Sequence, residues 1–90
     1  MMYPYVKYSD GTEVVFSNIY IDNDQECIDV HFERPTESGF DSVRIKLPTY
    51  EVTVWEGNYT NEEIEFFKLV VKNSCDLFYK YAKEGGIKIA

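Results

Sequence analysis

The chain is poor in the residues from which small proteins usually build chemistry. It has one histidine, one tryptophan and two cysteines in 90 residues. Cys27 and Cys75 lack the C-x₂₋₄-C spacing of a zinc site, so a structural metal knot is excluded. A disulfide between them would be unusual in a reducing compartment, and both read as small apolar residues. There is no P-loop, no G-x-G-x-x-G, no G-x-S-x-G and no H-E-x-x-H. No apolar run approaches the ~20 residues that span a bilayer. Met1-Met2-Tyr3-Pro4 has neither a basic n-region nor an apolar h-region, so the expectation is a cytoplasmic chain with no membrane contact. Positive charge is also scarce. Nine Lys and Arg stand against sixteen Asp and Glu, a net charge of −7. Such a surface repels phosphate backbones and disfavours direct nucleic-acid binding.

Aromatic residues are abundant instead. Eight Tyr, six Phe and the single Trp make up 17% of the chain. That content argues against disorder. Charge is unevenly placed. Residues 1–67 carry 14 acidic and 4 basic side chains (net −10), whereas residues 68–90 carry 2 acidic and 5 basic (net +3). Ninety residues fit one domain with a modest core, and residues 1–90 are read as a single α+β domain.

Thr60 to Glu84 is the one segment with the marks of a long helix. Thr60 and Glu63 fit a capping box, with Tyr59 and Ile64 placed as a hydrophobic staple. Glu62, Glu63 and Glu65 lie near the positive end of the helix dipole, and Lys80 and Lys83 near its negative end. Gly85-Gly86 can take the left-handed conformation that ends helices. Ile64, Phe67, Val71, Cys75, Phe78 and Ala82 fall on one face. Val70, Leu77 and Tyr81 widen that stripe, Phe66 lies beyond them, and Leu69 lies further round. A helix so apolar must be covered, and the preceding chain supplies a sheet.

The strands are read as Tyr3–Tyr8, Glu13–Ile21, Ile28–Glu33, Val43–Leu47 and Tyr50–Trp55, with Ile87-Lys88-Ile89 as a short extra edge or a trailing end. Val14 and Phe16 have the opposite parity to Ile19 and Ile21, which predicts a bulge or bend near Ser17-Asn18. Arg34 to Gly39 is expected to be a mobile loop. Arg44 and Lys46 are placed to face Asp29, Glu33 or Glu51 across the strands. The short connections favour an antiparallel meander of about five strands, with the C-terminal helix packed across one face.

Three pieces of the chain carry a resemblance: Asp22-Asn23-Asp24, then His31-Phe32-Glu33, then Val54-Trp55-Glu56-Gly57 leading into Thr60–Glu84. Their order resembles that of short bacterial domains of unknown function. Those domains have an Asn/Asp/His-rich turn, a His-x-His-Val-Glu-like strand, and a V-x-E-G step into a long C-terminal helix. The resemblance covers roughly residues 19–88. It implies a member of a toxin–antitoxin-like gene pair. The turn here has no histidine and the strand keeps only one, so shared histidine chemistry is not implied.

The residues themselves assign no catalytic, cofactor or metal group. His31 sits on the polar parity of its strand between Asp29 and Glu33, where a solvated histidine is the ordinary reading and a general base the sharper one. Asp22, Asp24 and Glu26 alternate like oxygen ligands but lack the EF-hand glycine and final glutamate. If Tyr50, Val52 and Val54 face the core, Trp55 and Thr53 stand on the outer face as a contact surface; otherwise the sheet is covered on both faces or Trp55 folds over an edge. Trp55, Thr53, Phe66, Val70, Leu77 and Tyr81 are thus the candidate interaction surface, and a homodimer through the helix flank or the Trp55 face is expected. The expected function is a small non-enzymatic interaction module with a protein partner, itself or another chain. The alternatives are an acidic inhibitor that mimics nucleic acid in a basic groove, and a small hydrolase using His31.

Overall fold

A computed structural model describes residues 2–85. Six strands and one helix follow in order: β1 (Met2–Lys7), β2 (Glu13–Ser17), β3 (Tyr20–Asp22), β4 (Gln25–Thr36), β5 (Gly39–Leu47), β6 (Glu51–Glu56) and α1 (Asn61–Lys83). The fold is α+β. Every strand pair is antiparallel, in the order β1-β2-β4-β5-β6, with β3 also paired to β4. The expected terminal strand at Ile87-Lys88-Ile89, like Gly86, lies outside the described residues.

Strands β2 and β3 are one interrupted strand running along β4. Val14 and Phe16 pair with Phe32 and Val30, and after the break Tyr20 pairs with Cys27. The expected bend near Ser17-Asn18 is this break, and it reconciles the two parities. The Ser17 hydroxyl bridges the gap by accepting from the Asp29 N–H at 2.9 Å. Asn23 and Asp24, both in the positive-φ region, turn the chain tightly into β4. Asn and Asp tolerate that conformation better than most residues.

The loop expected from Arg34 to Gly39 is instead strand. Strand β4 continues to Thr36, which pairs with Gly39, so only Glu37 and Ser38 form the turn. Pro35 is tolerated because β2 has already ended opposite Glu33, leaving β4 paired on one side only.

The helix covers one face of the sheet, over β2, β4 and β5. Val14, Phe16, Ile28, Val30, Phe32, Val43, Ile45 and Leu47 point up at Ile64, Phe67, Val71 and Phe78, and all are buried. Cys75 and Ala82, expected on the same helical face, pack at the margin of this core. Phe67 stacks on Phe32 with ring centroids 4.1 Å apart, while Phe78 packs against Phe16 (5.2 Å) and Tyr5 (4.7 Å). The capping box is present. The Glu63 N–H donates to the Thr60 hydroxyl at 3.1 Å, and the Thr60 N–H donates to the Glu63 carboxylate at 3.1 Å. Gly85, at positive φ, ends the helix in the left-handed region.

Both edge strands are irregular. In β1 the register shifts between Pro4 and Val6, leaving Tyr5 as an extra residue opposite β2. In β6 the register shifts between the partners of Arg44 and Ile45, so that Thr53 is extra.

Candidate functional site

The bulge at Thr53 decides where the tryptophan goes. Val52 pairs with Ile45 on the helix side, as the alternation predicts. The extra residue then reverses the parity, so Val54 pairs with Arg44 on the open side and Trp55 with Val43 on the helix side. The expectation of Trp55 beside Thr53 on the outer face is therefore corrected. Trp55 lies at the β6 edge, 47% exposed, and its indole N–H donates to the Tyr59 carbonyl at 3.2 Å. Trp55 belongs to the corner that launches the helix.

An arginine that the sequence placed in a loop organises the same corner. Arg34 donates through Nε and a terminal nitrogen to Asp41 (3.0 and 2.8 Å), and through its other nitrogen to Glu63 (3.1 Å) and Asp10 (3.3 Å). Its guanidinium carbon lies 4.5 Å from the Tyr59 ring centroid, and the Tyr59 hydroxyl meets Thr12 at 2.9 Å. The Asn58 N–H and then Arg34 hold the Asp41 carboxyl below the usual carboxylate range, and the Thr12 N–H does the same for Asp10. All these groups satisfy one another, which marks a structural clamp between β4, β5 and the start of the helix.

The open sheet face is polar. Lys46 stands opposite Asp29 and Glu51 across the strands, as expected, while its ammonium is engaged by Asp22, and Tyr20 donates to Asp29 at 2.7 Å. His31 sits opposite Arg44, with Nδ1 3.7 Å from the Glu33 carboxylate. Burial and then the Arg44 charge push the His31 pKa down, so the imidazole is neutral near pH 7. A hollow of about 190 Å³ beside it is lined by Glu33, Ser42, Arg44, Val54 and Glu56, and Ser42 supplies its one hydroxyl. A neutral imidazole beside a carboxylate can accept a proton. No hydrogen bond joins it to Ser42 among the described residues, so the nucleophile–base link of a hydrolase is not drawn. No group of three or more His, Cys, Asp or Glu side chains among the described residues is placed to hold a metal. Asp22 is engaged by Lys46 instead. Cys27 and Cys75 are free thiols.

The helix flank is different in character. Phe66 is 50% exposed, Leu69 58% and Leu77 40%, and Val6 of β1 is 38% exposed nearby. Val70 and Tyr81, assigned to the same surface, are partly buried against the core. Because α1 crosses β2, β4 and β5, β1 overhangs the helix. A hollow of about 530 Å³ opens there, lined by Tyr5, Val6, Tyr8, Val70, Asn73 and Ser74, with Tyr5 donating to Ser74 at 3.0 Å. A second hollow of about 450 Å³ adjoins it at Tyr8, walled by Phe66 and Phe67 and rimmed by Asp10, Glu62 and Glu63. Tyr8 and Phe66 meet edge to face at 5.9 Å. The apolar flank thus extends onto β1, and Val6 and Tyr8 belong to it although strand alternation alone did not single them out. Their signal was the crowding of Tyr and Val around Pro4 on an edge strand.

No helix among the described residues is long and apolar enough to cross a membrane. A scan against protein-family models finds no match, and searches of curated proteins and of solved structures find none either.

Proposed function

We propose that the chain is a small interaction module, working through the apolar flank of α1 and the adjoining β1 edge rather than through bond-making chemistry. The observation that carries this is the run of exposed Phe66, Leu69 and Leu77 on the outer side of α1. A folded chain with a well-packed core gains nothing from leaving three large apolar side chains along one helix side in water, and contiguous patches of this kind mark interaction sites. The acidic charge of residues 1–67 keeps such a surface soluble until it is covered. The resemblance to domains of toxin–antitoxin-like pairs supports the same reading, with a protein from the same gene pair as a candidate partner.

The test is capture by tagged chain, with untagged chain and the products of adjacent genes as separate prey. Wild-type bait should retain at least one of them, and Leu69→Glu bait should retain none. Leu69 is exposed, so its substitution leaves the core intact. Retention of no prey, or equal retention by both baits, removes this surface from the function.

A further inference from the structure

On the exposed side of α1, residues Glu62, Phe66, Leu69, Asn73, Leu77 and Lys80 follow one another at intervals of three or four. At about 100° per residue they form a single seam. That seam lies roughly 150° round the helix from the buried face of Ile64, Phe67, Val71 and Phe78, directed away from the sheet. The steps of 4, 3, 4, 4 and 3 are close to those of a helix–helix contact, in which side chains at alternating three- and four-residue steps insert between those of a facing helix.

The order of residues along the seam says which helix it faces. Glu62 and Lys80, Phe66 and Leu77, and Leu69 and Asn73 are each arranged about the level of Val71. A second copy of the same seam, laid antiparallel about a two-fold axis at that level, puts Glu62 opposite Lys80, Phe66 opposite Leu77 and Leu69 opposite Asn73, twice over. A parallel arrangement would stack glutamate on glutamate and lysine on lysine. Closed two-fold pairing needs such a self-complementary patch and nothing more. We infer that the occupant of this surface is a second copy of the chain, docked through antiparallel α1 helices with the two sheets outermost. This rests on the flank being an interaction surface and names its partner. Asn73 sits within the seam, where a lone polar residue fixes alignment at some cost in affinity. The two chains carry a charge of −7 each. Their repulsion is screened over about 8 Å at physiological salt, whereas the Glu62–Lys80 contacts are local.

Sedimentation velocity of the purified chain at micromolar concentration reads the outcome. Wild type should sediment at twice the 10.6 kDa monomer mass. Leu69→Glu should be monomeric with an unchanged circular dichroism spectrum. Glu62→Lys alone and Lys80→Glu alone should each weaken the dimer about tenfold, as attractive pairs become repulsive ones. An equimolar mixture of the two variants should regain it, since every contact is again between opposite charges. A monomeric wild type, a dimer indifferent to Leu69→Glu, or charge variants that leave the dimer unweakened each overturns the inference. A monomer that still captures an adjacent-gene product through Leu69 overturns this inference and leaves the interaction module standing.

Discussion

Phe67 and Phe66 are neighbours in sequence with opposite fates, and truncating each in turn measures the phase of the helix. The Phe67 ring is stacked on Phe32 at 4.1 Å and 14°, meets Tyr59 edge-on at 5.0 Å, and is 3% exposed. Replacing such a side chain by alanine removes its transfer free energy and leaves a cavity, a loss of ~3–5 kcal/mol. The two aromatic pairs account for ~0.5–1.5 kcal/mol each of that. A domain of this length is stable by roughly 4–13 kcal/mol, so Phe67→Ala should consume a large share of the total. Phe66 is half exposed and touches the rest of the protein mainly through Tyr8 and Phe67. In the dissociated chain, at concentrations too low for association, Phe66→Ala should therefore cost ~1 kcal/mol or less. The assay is urea unfolding followed by circular dichroism and by fluorescence of Trp55, which reports on the corner beside Tyr59. The two probes should give one transition, with the midpoint moved far more by Phe67→Ala than by Phe66→Ala. Equal shifts, or a larger one for Phe66→Ala, would refute the packing argument outright.

Three further expectations are smaller in scale. Thr60→Ala removes the hydroxyl of the capping box and should cost ~1 kcal/mol in the same urea experiment; no measurable change would show the cap to be redundant. Gly57 has φ +92°, and a Cβ there would stand 2.8 Å from the Asp41 Cα. Gly57→Ala should therefore cost more than ~1 kcal/mol, and a variant as stable as wild type would contradict the geometry. Asp41 and Asp10 have lowered pKa values in the folded state, so the unfolded chain takes up their protons first as pH falls. Their stabilisation is complete above the ordinary carboxylate pKa of about 3.9 and is lost as pH drops through and below it. Thermal melts from neutral to acid pH should show that decline, flattened in Asp41→Asn; an identical slope in the variant would assign the acid sensitivity elsewhere.

The helix was legible from residues alone because its signals are local. Thr60, Glu63, the helical spacing from Ile64 to Phe78, and Gly85 act within a turn or two of one another. Strand existence was legible for the same reason, through alternation such as Ile28, Val30 and Phe32. The side of the sheet that Trp55 occupies was not. The alternation through Val52 and Val54 looks unbroken, and the extra residue at Thr53 exists only relative to β5. Arg34 was misplaced because Pro35, Glu37, Ser38 and Gly39 have loop composition, while the acceptors that hold the guanidinium come from three distant segments, at Asp10, Asp41 and Glu63. The flank residues Phe66 and Leu77 followed from helical phase, but the hollow that Val6 and Tyr8 form beside Val70 and Asn73 depended on β1 overhanging the helix.

The outermost strands of an open sheet, here β1 and β6, are places where another strand can be added, and unguarded edges let proteins polymerise. Here Pro4 has no N–H to offer at one of those places, and the extra Tyr5 throws the remaining donors and acceptors of β1 out of step. At the other, the extra Thr53 does the same to β6, between Glu51 and Glu56. An incoming extended chain meets a mismatched ladder at either end, so strand-by-strand growth into fibres is disfavoured. The chain can thus carry an exposed apolar flank at high concentration while its sheet edges resist open-ended growth.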